Sequence, residues 1–202
     1  MRNDRYRRDE SYCTKELTEL LGHTPAEWTV ESLTHNTSNA VTAGIWRVRA
    51  NSLSAILKVV ASPGRGTTLE EWSSSEEPSH WNYWGRETLA YEHGLTSAYS
   101  AAGISGPRLL ALNRRPNGEI ALWLEDAQSD DRTVPGTRWS MEDYWRFVYG
   151  LGLVQGRITL TGSVPDHCWL TRHFLRDYVL SKRVERSILY SDNAWRRPLV
   201  TR

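Results

Sequence analysis

Apolar residues recur along the chain at two periods, and the switches between those periods mark out the elements. Leu17, Leu20 and Leu21 fall at helical spacing between Ser11 and Leu21, and Gly22 closes that short helix. Trp28 to Leu33 alternates with a period of two, as a strand does. A polar stretch, 34–39, leads to a second strand over Ala43–Ala50. Asn51 and Ser52 then turn the chain into a third, Leu53–Ala61, so a three-stranded antiparallel meander is predicted. Residues 62–78, rich in Gly, Ser, Thr and Glu, read as an exposed loop. Trp81, Trp84, Thr88, Tyr91, Leu95, Ala98 and Ala102 then share one face at spacings of three and four. That spacing predicts a long helix from about Ser79 to Ala102, ended by Gly103 with Pro107 beyond it.

Two more strands follow, Arg108–Leu112 and Ile120–Leu124, joined through the turn signal Arg115-Pro116-Asn117-Gly118. Past Glu125 and Asp126 the pattern changes. A polar linker reaches Ser140, a good N-cap with Glu142 and Asp143 in the first turn, and a helix runs on to about Leu160. Another helix is predicted from about Trp169 to Arg183, carrying Phe174, Leu175, Tyr178 and Val179. The predicted class is α+β: sheet, inserted helix and N-terminal helix in residues 1–127, a linker over 128–138, and helices alone over 139–202.

Composition narrows the function classes. A formal net charge of +1 with both signs interspersed provides no field for nucleic acid or an acidic membrane. Mean hydropathy is −0.57, and no window approaches the ~20 apolar residues of a membrane span. The start Met1-Arg2-Asn3-Asp4-Arg5 is charged with no apolar run behind it, so it does not read as a secretory signal. Cys13 and Cys168 lie far apart and suit a reducing compartment, and a cytoplasmic protein is expected. Ten tryptophans with no fixed period suit packing better than a binding repeat. The six histidines show no metal-ligand spacing, and there is no Walker A or G-x-S-x-G sequence.

The residue that stands out is Lys58. It interrupts the apolar run 53–61 and shares a face with Ile56 and Val60. A buried ammonium is costly without an anionic partner. The following helical segment supplies one in Glu87, with Glu92 as the runner-up. Lys58 also has a plainer reading, as an edge-strand lysine that snorkels into water and blocks strand addition. Glu87 could equally be a solvated helix residue, and Glu125-Asp126 a simple strand-end turn.

The order of three strands, a helix, two strands and a linker into helices resembles the small lobe of the protein-kinase-like fold. Ala55-Ile56-Leu57-Lys58 resembles the lysine strand of that fold. Arg86-Glu87-x-x-x-Tyr91 resembles the glutamate helix of the aminoglycoside phosphotransferases and related small-molecule kinases. Ile120–Asp126 is similar to that family's fifth strand and hinge, and 152–157 and 174–178 resemble helices beyond it. The resemblance implies a five-stranded antiparallel lobe with one long helix, followed by the first helices of an incomplete helical lobe. It implies ATP and Mg²⁺ as cofactors, with Lys58 on the α- and β-phosphates and Glu87 holding Lys58. It places Thr37 and Ser38 in the loop covering the phosphates, Leu124 C=O and Asp126 N–H beside the adenine, and Trp123 at the gatekeeper position, whereas Trp123 taken by itself reads as plain core. The implied activity is transfer of the ATP γ-phosphate to a hydroxyl of a small molecule, whose identity the sequence leaves open.

The other half of that machinery is missing from the sequence. The family's H-x-D-x-x-x-x-N supplies a base and a metal ligand. Here His167 has Trp169 two residues on, His173 has Leu175, and Asp177 has Lys182 where an Asn would stand. Asp192-Asn193 has the wrong spacing. Two readings follow: the front part of a phosphotransferase, inactive by itself, or a non-catalytic pseudokinase-like module that binds nucleotide or a partner protein. Self-association through exposed helix faces is expected of a lobe without its counterpart.

Overall fold

The computed structural model describes residues 3–35, 41–63, 74–100, 103–127, 140–162, 165–181 and Tyr190. The chain is α+β, with one five-stranded antiparallel sheet and four α-helices among the described residues. Helix α1 (Asn3–Leu21) is followed by β1 (Trp28–Ser32), β2 (Thr42–Ala50) and β3 (Leu53–Val60). A short α2 (Arg86–Glu92) and a 3-10 turn (Leu95–Ser97) precede β4 (Leu109–Arg114) and β5 (Ile120–Glu125). Helices α3 (Met141–Thr161) and α4 (Phe174–Ser181) complete the order. The expected linker 128–138 lies outside the described residues, as does 64–73 of the expected loop.

The sheet order is β1-β2-β3-β5-β4, which puts β3 at its centre. Lys58 stands opposite Ile45 of β2 on one side and Leu122 of β5 on the other. The edge-lysine reading is therefore overturned, because both neighbouring strands are paired. The β2–β3 hairpin closes at Ala50 opposite Leu53, with Asn51 in the left-handed region (φ 53°) that Asn tolerates. Between β4 and β5, Arg115 N–H donates to Glu119 O at 2.8 Å and Gly118 takes φ +80°.

Alternation assigns the sheet two different faces. Val48, Ala50, Ala55, Leu57, Val59, Ala121 and Trp123 form the core with Cys13 and Leu17 of α1. Lys58 faces the other way, in a row with Ile45 and Leu122. Helix α1 is fastened by a buried polar cluster. Glu16 accepts from Arg115 Nε at 2.8 Å, from Arg115 Nη2 at 3.0 Å and from Trp123 Nε1 at 3.0 Å. The Arg115 guanidinium carbon also lies 5.2 Å from the centre of the Tyr12 ring.

Three helices differ from the sequence-based expectation. Helix α1, expected as a short helix over Ser11–Leu21, begins at Asn3. Over 79–100, the described part of the long helix expected from Ser79 to Ala102, the chain forms the seven-residue α2 and the 3-10 turn instead. Gly85 stands at its N-cap and Gly94 takes φ +67°, a conformation that ends an α-helix. The helix expected from Trp169 begins instead at Phe174. Helix α3 starts where Ser140 caps it, accepting from Asp143 N–H at 3.1 Å, and ends at Gly162 with φ +61°. Only Gly150 and Val154 of α3 are buried, and Met141, Tyr144, Trp145, Val148 and Tyr149 are exposed. Among the described residues no helix is long and apolar enough to cross a membrane.

Candidate functional site

The site is built on the centre of the sheet. Lys58 leaves β3 on the face away from α1, and its Nζ donates to Glu87 Oε2 at 2.5 Å. The two side chains are 20% and 34% exposed, so this ion pair is half-buried and open to solvent on one side. Among the described residues the ammonium donates to Glu87 alone. An ammonium has three donors, so two remain for an anionic oxygen. Ile45 and Ile56, both half-buried, flank Lys58 on the same face. An ammonium held upright by a carboxylate beside apolar side chains can bind a phosphate oxygen, with Glu87 limiting where the charge can move.

The sequence offered Glu92 as the other partner. The structure takes it elsewhere: Glu92 Oε1 accepts from Arg114 Nη2 at 2.7 Å. Tyr91, one helical turn after Glu87, has its phenol pushed above the ordinary value by burial and by the charge of Glu87.

Helix α2 presents only Thr88 as a buried residue. Its position comes from side chains at its two ends. At the first residue, Arg86 donates to three backbone carbonyls: Trp169 O through Nε at 2.7 Å, Trp81 O through Nη1 at 2.6 Å and His80 O through Nη2 at 2.6 Å. No carboxylate pairs with it among the described residues. Burial accordingly pulls its guanidinium below the ordinary value, with Tyr83 acting in the opposite sense. At the far end, the His93 ring lies 4.5 Å from that of His167 and 5.5 Å from that of Trp169, and His167 stacks on Trp169 at 5.1 Å. Trp81 meets Phe174 and Tyr178 of α4 edge-on at 6.2 and 5.4 Å.

The hinge-like residues fall out differently from one another. Trp123 is core, as its plain reading expects, and its gatekeeper position is corrected: it stands opposite Leu57 on the α1 face, fully buried, and does not line the face that carries Lys58. Leu124 sits between Ile56 and Leu109. Glu125 N–H donates to Arg108 O at 2.8 Å, towards β4, so alternation turns the backbone groups of Leu124 towards β3. Asp126 lies one residue past the end of the β3–β5 register. Its side chain, 4% exposed, accepts from Arg47 Nε at 3.0 Å and from Ser54 Oγ at 2.5 Å. Burial raises its pKa, but those hydrogen bonds and the charges of Arg47 and Arg49 outweigh burial and hold the carboxyl below its usual range. Thr37 and Ser38 lie outside the described residues.

Of the expected residues, Lys58 and Glu87 are thus brought together, while Asp126 belongs to a separate network with Arg47. Arg86, whose guanidinium reaches three backbone carbonyls, was missed. Its sequence signal was an arginine at the start of a helix, next to the candidate glutamate and without an acidic neighbour at i+4. No group of three or more His, Cys, Asp and Glu side chains that could hold a metal ion occurs among the described residues. No protein-family model matches the chain, and no curated protein or solved structure matches it.

Proposed function

We propose that this chain is a kinase-like nucleotide-binding module, in which Lys58 takes the α- and β-phosphates of ATP and Glu87 holds the ammonium in place. The observation that carries the reading is the 2.5 Å pair from the central strand of the sheet to the helix between β3 and β4. That is the arrangement in which kinases hold phosphate, with the lysine on the third strand and its glutamate on the following helix. Mg²⁺ would arrive with the nucleotide, held by its phosphates, since the described residues offer no metal cluster of their own. Thr37 and Ser38, which stand between β1 and β2 in the sequence, are assigned to covering the phosphates on the resemblance alone.

In the family that the sequence resembles, such a cradle serves transfer of the ATP γ-phosphate to a small-molecule hydroxyl. The base and metal ligands of H-x-D-x-x-x-x-N have no counterpart in this sequence. The chain is therefore expected to bind nucleotide without turning it over. Calorimetry with ATP and Mg²⁺ tests the reading. Binding is expected in the wild type and at least about tenfold weaker binding in Lys58→Ala, equivalent to ~1.4 kcal/mol. Absence of binding in the wild type overturns the cradle. Lys58-dependent phosphate release would overturn the silent part of the reading.

The exposed Tyr144, Trp145 and Tyr149 of α3 favour a second reading, a module that binds a partner protein or a second copy. A concentration-dependent sedimentation coefficient abolished by Trp145→Glu supports the second copy, and a concentration-independent monomer counts against it.

A further inference from the structure

A seven-residue helix with one buried residue has little intrinsic reason to stay in place, because isolated helices of that length are marginal and tertiary packing supplies most helical stability. Yet Glu87, on α2, must be held within hydrogen-bonding reach of Lys58. Both ends of α2 are gripped by one stretch of chain beyond the sheet, residues 167–178. Arg86 reaches the carbonyl of Trp169, and His93 stacks against His167 and Trp169. The same guanidinium ties down the carbonyls of His80 and Trp81, and the Trp81 ring in turn meets Phe174 and Tyr178.

We infer that Arg86 is a positioning residue, through which docking of the 167–178 segment holds Glu87 against Lys58. The pair and the docked segment then form one coupled unit, in which loosening either loosens the other. A planar fork that satisfies three carbonyls cannot be replaced by an ammonium, so charge alone does not perform this role. The consequence for phosphate binding rests on the cradle reading, but the coupling itself is read without nucleotide.

The test uses the whole chain and a zero-length carbodiimide, which joins Lys58 to Glu87 only when the two touch. The linked peptide is quantified by mass spectrometry, and amide exchange reports the 167–178 segment and the sheet separately. The wild type should give the Lys58–Glu87 link. R86Q and R86K should both lower its yield at least about fivefold, the low end of ordinary coupling energies, and speed exchange over 167–178 with β2, β3 and β5 still protected. Reciprocally, Lys58→Met should speed exchange over 167–178. Should R86Q fail to fold, His93→Ala reads the same coupling from the other end of α2. Unchanged link yield in R86Q or H93A with the segment loosened overturns the inference, as does a restored link in R86K. If ATP fails to bind while these effects appear, the cradle falls and the coupling stands.

Discussion

Replacing Glu16 by Ala removes the acceptor of three buried hydrogen bonds at once. The two from Arg115 and the one from Trp123 fasten α1 to the sheet, and the Glu16 and Arg115 side chains are 5% and 1% exposed. Removing one partner of a buried pair costs ~3–5 kcal/mol, because the other charge is left without adequate compensation. The stranded indole N–H costs about 1–3 kcal/mol more. Glu119, 3.5 Å from Arg115 Nη1, takes up part of the lost charge interaction and offsets some of this. A net loss of about 3–5 kcal/mol is expected, a fall of roughly 2 M in the urea midpoint at an ordinary m-value. The double variant E16L/R115M removes both charges together and should recover the charge part of the loss, since an apolar replacement of a buried pair is often close to neutral, while the Trp123 N–H stays without its acceptor. Urea unfolding of the two variants and of the wild type decides the matter. A loss under about 1 kcal/mol for Glu16→Ala, or a double variant as unstable as that single one, would refute the reasoning.

Other expectations follow from the same geometry. Asp126→Asn should cost about 1.5–3 kcal/mol at pH 7, the range for hydrogen bonds to a charged group. Because the folded carboxyl titrates below its unfolded value of ~3.9, this stabilisation is present above about pH 4. It is lost as pH falls through the folded value, so the gap between wild type and variant should close there, and a gap constant down to acid unfolding would contradict the Arg47–Asp126 pairing. Ser140→Ala removes the N-cap of α3 and should cost about 1 kcal/mol, read as lost helicity in the far-ultraviolet and faster amide exchange in the first turn. A Cβ on Gly44 would lie 2.1 Å from Trp46 Cη2, so Gly44→Ala should displace that indole and cost about 1–3 kcal/mol in urea unfolding.

The strands, the β1–β2–β3 meander and the β4–β5 hairpin were legible, because alternation and the Asn51-Ser52 and Pro116-Asn117-Gly118 turns are local signals, whereas the β3–β5 pairing has no local signal and was implied only by the resemblance. The Lys58–Glu87 pair was legible for a different reason: a cation in an apolar strand demands a partner. The long helix failed because its apolar spacing ran across Gly85 and Gly94, and backbone conformation at those glycines overrode periodicity. Trp123 was legible as core, but Ile120 to Leu124 is apolar throughout and holds no alternation to tell its two sides apart, so the gatekeeper position implied by the resemblance fell on the wrong face. Glu16 left a trace in the sequence, since it lies three residues after Cys13 and one before Leu17, within the buried stripe of α1. Its partners are about a hundred residues away, as Arg47 is distant from Asp126, and no local pattern encodes such pairs.

The most direct measurement of the central claim is site-resolved acylation of the amines with and without nucleotide. The chain has three lysines, Lys15, Lys58 and Lys182, and Lys15, with its side chain 76% exposed, serves as the internal reference. A phosphate cradle predicts that ATP and ADP slow labelling of Lys58 relative to Lys15, while adenosine, which carries no phosphate, leaves it unchanged. Equal labelling of Lys58 with and without ATP, or protection by adenosine as strong as by ATP, would contradict it.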